Sequence, residues 1–205
     1  MSARRVLVLY GTSYGQTARI ARRVAEVLTA SGNDVRLLDA AELPRGISAR
    51  DFDGVVLGAS VVAGRHQRAV RRFVRAHHVA LNAMPSAFFS VSASAAGGEA
   101  TRADVLRLLA EFRADTGWYP PLAEGVAGEI AYTRYNPFIR WQMRRICAKV
   151  GGPTDTSRDH ELTDWAQVDR FALSFAALLD RTPPRDAWPE RPRRRAAQSR
   201  IAGHT

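Results

Sequence analysis

The fold is decided by the N-terminal stretch Arg5-Val6-Leu7-Val8-Leu9-Tyr10-Gly11-Thr12-Ser13-Tyr14-Gly15-Gln16-Thr17. Residues 5–9 are apolar after Arg5 and include β-branched side chains, a pattern that predicts a buried β-strand. A polar loop follows, and residues 16–30 then place apolar side chains at helical spacing. A helix start offers free N–H groups and a positive dipole end, so this order of elements favours a bound phosphate. The candidate phosphate ligands are Thr12, Ser13, Tyr14, Gly15, Gln16 and Thr17.

This loop differs from two widespread phosphate-binding motifs. It contains no lysine, so it is not a Walker P-loop. Its two glycines, Gly11 and Gly15, do not match the G-x-G-x-x-G pattern of dinucleotide-binding folds. The residues alone leave one alternative open, a polar turn between strand and helix that does no more than cap the helix.

Strand and helix patterns alternate along most of the chain. The predicted strands cover residues 5–9, 34–38, 54–57, 87–91 and 122–126. The predicted helices cover residues 16–30, 68–81, 101–115 and 162–179. This alternation predicts an α/β fold, a doubly wound five-stranded parallel sheet with helices on both faces. Because such sheets bind ligands beyond the carboxyl ends of their strands, the loops after strands one, three and four are candidate binding loops.

Two segments fall outside the alternation. About 35 residues, roughly 127–161, separate the fifth strand from the last helix, and so long a connection is typical of a functional insertion. Residues 181–205 contain seven arginines and two acidic residues, a net charge of +5, together with several prolines. We therefore predict one domain over residues 1–182, with an insertion at strand five, and a disordered basic tail over residues 183–205.

Charge and cysteine content exclude several classes of protein. The chain has 30 Lys and Arg residues against 20 Asp and Glu residues, a net charge of +10, which argues against an acidic carrier protein. An anionic membrane surface, an anionic small molecule or nucleic acid stays open as a partner. The single cysteine, Cys147, excludes an intrachain disulfide and a zinc cluster, so no metal is expected. No secretory leader or membrane-spanning stretch is visible, which predicts a cytoplasmic protein.

The insertion contains a predicted basic amphipathic helix over residues 138–150. Ile139, Met143, Ile146 and Val150 are predicted to share one face, and Phe138 and Trp141 lie near the helix start. The cations beside that face are Arg140, Arg144, Arg145 and Lys149. This composition suits a membrane interface. The alternative is an ordinary docked helix with a solvated arginine face.

A second basic stretch covers residues 65–78, with five arginines and no acidic residue. Its simplest interpretation is a solvated helix face. Its first residues, Arg65 and His66, follow the loop after the third strand, so they are also candidates to meet an anionic substrate. His77 and His78 are adjacent and cannot share a helix face, which argues against a metal pair.

Further motifs identify a family. The pattern Gly11-Thr-x-x-Gly15-x-Thr17 resembles the phosphate loop of flavodoxins, which binds the phosphate of FMN. Over residues 4–180 the chain is similar to the flavodoxin-like, quinone-dependent protoporphyrinogen IX dehydrogenases. The landmarks of that resemblance are Gly15-Gln16-Thr17, Gly58-Ala59-Ser60, Met84-Pro85-Ser86-Ala87-Phe88, Gly151-Gly152-Pro153-Thr154-Asp155-Thr156 and Thr163-Asp164-Trp165.

The resemblance implies a fold and an activity. The strand order would be 2-1-3-4-5, and the cofactor would be FMN, held by residues 12–17. The enzyme would oxidise protoporphyrinogen IX to protoporphyrin IX in haem biosynthesis and pass electrons to a membrane quinone. It would then lie peripherally on the cytoplasmic face of the cell membrane. The flavin carries the redox chemistry, and no catalytic acid or base is identified in the sequence.

The resemblance also implies which residues border the ring and the substrate. The ring would lie against Ala59, Ser60, Val61, Gly64, Val91, Ser92, Ala93 and Ser94. Neither the loop after the third strand, residues 61–64, nor the loop after the fourth strand, residues 92–98, contains an aromatic side chain that could stack on the flavin ring. Candidate substrate or membrane contacts are Arg65, His66, Arg134, Tyr135, Arg140, Trp141, Arg144 and Arg145.

Three other functions stay open at this point. A flavodoxin-like quinone reductase would use the same cofactor site. A non-enzymatic FMN electron carrier is a second alternative, although such carriers usually depend on an acidic face and this chain is basic. A nucleic-acid-binding protein could use the arginine-rich tail, but no motif that reads RNA or DNA is present, so no specific nucleic acid is expected. The quinone type and the oligomeric state are not determined by the sequence.

Overall fold

The computed structural model describes residues 3–149 and 151–183. The strands are β1 (Arg5–Gly11), β2 (Asp34–Asp39), β3 (Gly54–Val62), β4 (Arg65–His66), β5 (Ser86–Ser92), β6 (Leu122–Ala127), β7 (Glu129–Ile130) and β8 (His160–Glu161). The helices are α1 (Gln16–Ala30), α2 (Arg68–Asn82), α3 (Arg102–Thr116), α4 (Pro137–Lys149) and α5 (Trp165–Asp180).

The five long strands form one parallel sheet in the order β2-β1-β3-β5-β6. This is the predicted order 2-1-3-4-5, because β5 and β6 are the fourth and fifth long strands. The register pairs Gly11 with Ala59, Ser60 with Val91 and Ser92 with Ala127. The carboxyl ends of β1, β3 and β5 therefore meet at one edge, and the three candidate loops leave the sheet together.

Two apolar cores lie on the two faces of the sheet. Apolar residues of α1 and α5 pack on one face, where Phe89 of β5 meets Phe171 and Phe175 of α5. Apolar residues of α2 and α3 pack on the other face, around Phe88 and Trp118. The central strands β1, β3 and β5 are buried from both sides, which is why they read in the sequence as short continuous apolar runs.

The loop after the third strand differs from the prediction. The sequence predicted a strand over residues 54–57, whereas β3 continues to Val62. The chain then turns back at Ala63 and Gly64, whose φ angles are 48° and 73°. Positive φ at both central residues is typical of a two-residue hairpin turn. Val61 and Val62 therefore pair with the antiparallel strand β4 and do not form an open loop.

The insertion folds into a small unit with its own core. Strands β7 and β8 pair antiparallel, and α4 lies between them in the sequence. Its core contains Ile130, Tyr132, Tyr135 and Cys147. Cys147 is buried as an apolar filler, whereas Ile146, predicted to face inward, is 44% exposed. The predicted tail lies outside the described residues after Pro183.

Candidate functional site

The loop between β1 and α1 is arranged to receive an anion. Gly15 adopts a φ of 94°, a left-handed conformation that favours glycine, and its N–H donates to Thr12 Oγ1 at 2.9 Å. No side chain caps the start of α1, and its first turn contains no acidic residue. The positive end of the helix dipole is thus open towards the sheet edge.

Thr17 gives the clearest indication of a ligand-binding position. Its side chain is 1% exposed, and its Oγ1 is buried without a hydrogen-bond partner among the described residues. Nearly all buried polar atoms in proteins are hydrogen-bonded, so an unpaired hydroxyl in the first turn of α1 points to a ligand. A phosphate oxygen suits this position, because hydroxyl and N–H donors surround it and residues 11–17 contain no carboxylate.

The side chains of two predicted phosphate ligands are used elsewhere. Gln16 Nε2 donates to Glu161 Oε1 at 3.1 Å and to Thr163 Oγ1 at 2.8 Å. The ring of Tyr14 packs edge-on against Tyr135, with 4.8 Å between ring centroids. Both side chains therefore attach the insertion to the loop, and only their backbone N–H groups stay candidates for the phosphate.

Gln67 is a bridging residue that the sequence patterns did not reveal. Its Nε2 donates to Ser13 Oγ and, at 3.0 Å, to Ser60 Oγ, while its backbone N–H donates to the Ser60 carbonyl at 3.2 Å. A Cβ atom at Gly11 would lie 2.8 Å from Gln67 Cβ, so the loop needs glycine there. Gln67 thus connects the phosphate loop to the end of β3, although it lies about 55 positions away in the sequence.

The predicted ring-bordering residues lie at the same sheet edge. Ala59, Val91 and Ser92 are buried, and Ser60 and Val61 are half-buried at the strand ends. Ala93 and Ser94 begin a 3-10 segment, Ala93–Thr101, in which Thr101 Oγ1 donates to the Ser94 carbonyl. Gly64 lies in the exposed hairpin turn. The strand register thus places Ala59, Ser60 and Val91 at the sheet edge where the phosphate loop leaves β1.

His66 is not available as a cationic contact. It is 7% exposed, packs edge-on against the stacked rings of Phe88 and Phe112, and its Nε2 lies 2.8 Å from Ser90 Oγ. Burial, helped by the positive charge of Arg71, lowers the pKa of His66 to about 4. The ring is therefore neutral at physiological pH and offers no positive charge to an anionic substrate, so any contact of His66 with the substrate stays a prediction.

Arg65 is exposed beside His66, but acidic residues share its surroundings. Together with Arg71 it lines a cleft of about 230 Å³ that also contains Glu111 and Asp115. Arg71 donates twice to Asp115, at 2.6 and 3.0 Å. This cleft is thus mixed in charge and is a weaker anion site than five arginines in sequence suggest.

The predicted contacts within the insertion divide into two groups. Arg140 donates to the carbonyls of Tyr132 and Tyr135, at 2.9 and 3.3 Å. Arg134 contacts Glu129, Asp159 and the loop carbonyl of Tyr14, and Tyr135 is 8% exposed. These three residues build the insertion. Arg134 keeps 42% of its side chain exposed despite these contacts, and Trp141, Arg144 and Arg145 are exposed as well.

Comparison with known proteins accounts for this arrangement. The flavodoxin domain family matches residues 7–157. A protoporphyrinogen IX dehydrogenase (quinone) of Leishmania major is 39% identical over 87% of this chain and 78% of its own length. The protein of that name from Escherichia coli K12 is 35% identical over 86% of this chain and 97% of its own. The chain belongs to this dehydrogenase family.

Two further findings delimit the family assignment. Coverage of 87% of the chain necessarily includes residues 127–161, so the similarity to the dehydrogenases extends through the insertion. Oxidised flavodoxin 1 from Bacillus cereus superposes with a TM-score of 0.52 over 84% of this chain and 97% of its own, at 16% identity, and it shows the fold alone. Among the described residues of this family member, no helix has the length and apolar character needed to cross a bilayer.

Proposed function

We propose that this chain oxidises protoporphyrinogen IX to protoporphyrin IX with FMN and passes the electrons to a membrane quinone, as a step of haem biosynthesis. The observation that carries the proposal is the 39% and 35% identity to two proteins named protoporphyrinogen IX dehydrogenase (quinone), over nearly the whole domain. The buried Thr17 hydroxyl, which has no hydrogen-bond partner among the described residues, lies in the first turn of α1 after the flavodoxin-like loop and supports the cofactor assignment.

The protein's contribution is binding and orientation. When bound, FMN supplies the redox chemistry, three two-electron oxidations for each porphyrin. Thr17 Oγ1 and the N–H groups at the start of α1 would hold the phosphate. Residues 59–64 and 91–94 would border the ring, and neither segment contains an ionisable side chain. These residues therefore position the reactants and exclude water, and they do not exchange protons.

The exposed surface of α4 would bring the site to the membrane. Phe138, Trp141 and Ile146 are 69%, 55% and 44% exposed, an unusual amount of apolar surface for one short helix. Arg144 and Arg145 are exposed beside them. Aromatic side chains next to arginines suit the interface of an anionic leaflet, where the quinone is reached. This arrangement supports a peripheral position on the cytoplasmic face of the membrane.

The decisive experiment is an activity assay on the protein purified with detergent. We expect a flavin absorption spectrum and oxidation of protoporphyrinogen IX that depends on added quinone. A protein that takes up no FMN would contradict the cofactor assignment. Flavin uptake and quinone reduction without porphyrinogen oxidation would instead indicate a quinone reductase, and flavin uptake without either activity would indicate an electron carrier.

A Thr17→Val variant tests the phosphate site. Valine keeps the shape and removes a hydroxyl that has no partner among the described residues, so the free energy of unfolding without FMN should not fall. FMN binding should weaken by about 1–3 kcal/mol, because a phosphate oxygen loses its donor. Fluorescence titration of the apoprotein measures this. Thr29→Val is the matched control, since Thr29 lies on the same helix and donates only to the Ala25 carbonyl.

A further inference from the structure

We propose that Arg134 is a positioning residue for the FMN phosphate loop, so that cofactor affinity depends on the insertion. This inference rests on the proposed cofactor. It gives Arg134 a different role from the one predicted from the sequence, where it was a candidate contact of the substrate or the membrane. Four features of the structure support it.

The first feature is the peptide group between Tyr14 and Gly15. Its carbonyl oxygen accepts a hydrogen bond from Arg134 Nη1, and its N–H donates to Thr12 Oγ1 at 2.9 Å. Both polar ends of this one peptide are therefore fixed. If the peptide rotated, its carbonyl oxygen could turn towards the anion and repel it, so its orientation matters for phosphate binding.

The second feature is the way in which Arg134 is itself held. Its Nη2 contacts Glu129 of β7, and its Nε lies 3.2 Å from Asp159 Oδ2 in the turn before β8. Asp159 also accepts from the backbone N–H and the hydroxyl of Thr133, both at 2.8 Å. Three nitrogens of one planar guanidinium thus meet three acceptors, a geometry that a lysine cannot reproduce.

The third feature is charge. Two carboxylates neutralise Arg134, so its effect on a bound phosphate comes from holding the loop and only weakly from its own positive charge. Arg134→Lys keeps the charge but loses the planar guanidinium, and it should therefore weaken FMN binding as much as Arg134→Gln, which loses both.

The fourth feature is the set of other contacts between the insertion and the loop. Tyr14 packs on Tyr135, and Gln16 donates to Glu161 and Thr163. Arg19, one turn further along α1, lies 3.1 Å from Glu161. The insertion is thus attached to the loop at several points. If it strengthens FMN binding, FMN must stabilise the insertion by the same free energy.

The experiment compares Arg134→Gln with Arg158→Gln in the full-length protein. Arg158 belongs to the same insertion, but its side chain is 73% exposed and its ion pair is with Asp155, three residues away. We expect the FMN dissociation constant of Arg134→Gln to rise about tenfold and that of Arg158→Gln to change less than about twofold. Fluorescence titration of each apoprotein gives these constants.

A second measurement tests the reciprocal effect. Trypsin cuts after the arginines of α4, and saturating FMN should slow this cleavage in the parent protein and in Arg158→Gln. In Arg134→Gln the protection should be largely lost. Mass spectrometry of the time course identifies cleavage within residues 137–149 and separates it from cleavage in the tail.

Three results would overturn the inference. The first is equal FMN affinity in Arg134→Gln and Arg158→Gln. The second is an Arg134→Lys variant with parental affinity, because charge alone would then suffice; this variant also replaces Arg134→Gln if the latter does not fold. The third is cleavage of the parent insertion at the same rate with and without FMN. A parent protein that binds no FMN would instead refute the cofactor itself.

Discussion

The basic stretch around α2 and the basic helix α4 look alike in the sequence and differ in what their arginines contact. Arg71 and Arg75 of α2 both donate to Asp115 of α3. Within the described part of the chain, Arg144 and Arg145 of α4 have no carboxylate partner, and Arg145 instead lies 5.0 Å above the ring of Trp141. A count of charges along the sequence therefore overstates the net positive charge of the α2 surface. For Arg144 and Arg145 of α4, the same count agrees with the structure.

The surroundings widen this difference. Hydrogen bonding to Arg71 is the main reason why the pKa of Asp115 is lowered, so this carboxylate stays ionised and offsets the positive charge of α2. His66, at the start of the same stretch, is neutral because it is buried. On α4, by contrast, the exposed rings of Phe138 and Trp141 lie 6.4 Å apart, and the exposed Arg144 and Arg145 lie on the same helix. Of the two surfaces, α4 is the one suited to an anionic membrane interface.

The largest expected effect separates the two surfaces by vesicle binding. Replacing Arg144 and Arg145 by Gln removes two cations from α4, each worth about 1 kcal/mol near an anionic leaflet. Partition into phosphatidylserine-containing vesicles should fall about 30-fold at low salt, as measured by co-sedimentation. The control replaces Arg68 and Arg72 of α2 by Gln, an identical change of charge at two exposed positions, and should lose much less.

The tail complicates this measurement, since residues 181–205 alone carry a net charge of +5. The comparison is therefore repeated in a chain that ends at Thr182. If that shortened parent does not bind anionic vesicles at low salt, α4 is not a membrane anchor and its exposed arginines are only solvated. FMN occupancy should be equal in all these proteins, because none of the changes touches residues 12–17.

The fold could be predicted from the sequence because its signals are local. The predicted α1 over residues 16–30 coincides with the observed helix, and the strand order is confirmed. The end of β3 was predicted wrongly, since pairing with β4 depends on a turn at Ala63 and Gly64 that the apolar pattern does not reveal. Ala63 has a positive φ, which is uncommon for a residue other than glycine.

The site could be predicted only in part, because side-chain partners are set by distant residues. The phosphate loop and its Thr17 were visible as a motif. The role of Arg134 depends on Tyr14, about 120 positions away, and no periodicity encodes such a contact. Likewise, nothing in the sequence distinguished Arg140, which holds two carbonyls inside the insertion, from the exposed Arg144.

The next effect tests whether the stretch around α2 carries a neutral histidine. The folded pKa of His66, about 4, lies below the ordinary value of 6.5. Between these pH values the unfolded chain binds a proton at His66 that the folded chain does not bind. The contribution of His66 to the free energy of unfolding is therefore fully present above pH 6.5 and is lost as the pH falls towards 4. From pH 7.5 to pH 5 the His66 contribution to the loss should be about 2 kcal/mol.

Urea unfolding of the parent and of His66→Gln at both pH values isolates this contribution. The glutamine keeps a polar atom near Ser90 and does not titrate, so other groups, including His77 and the carboxylates, cancel in the difference. Equal losses of stability in the two proteins would mean that His66 is not held neutral. The stretch around α2 would then be more cationic than we infer, and its contrast with α4 would shrink.

The smallest effect is expected from removing the carboxylate of Asp115, which offsets the positive charge of α2 and so makes this surface differ from α4. In Asp115→Asn, Arg71 and Arg75 lose their shared anion, and a partly exposed network of this kind contributes about 1 kcal/mol to the free energy of unfolding. The freed charge should also raise binding to anionic vesicles, by at most about fivefold for one added unit of positive charge. Urea unfolding and vesicle co-sedimentation measure the two effects on the same protein.

Asp104→Asn provides the matched control for that last change. It alters the charge equally on the same helix, but Asp104 is 56% exposed on its side chain and pairs only with Arg107 within α3. Its unfolding free energy should change by less than about 0.5 kcal/mol. If both variants raise vesicle binding equally, the gain reflects net charge alone. A different outcome is that Asp115→Asn alone increases vesicle binding by as much as the Arg144 and Arg145 double variant decreases it. In that case α2 is a second membrane-binding surface whose charge Asp115 neutralises, and the contrast between the two helices depends on this single carboxylate.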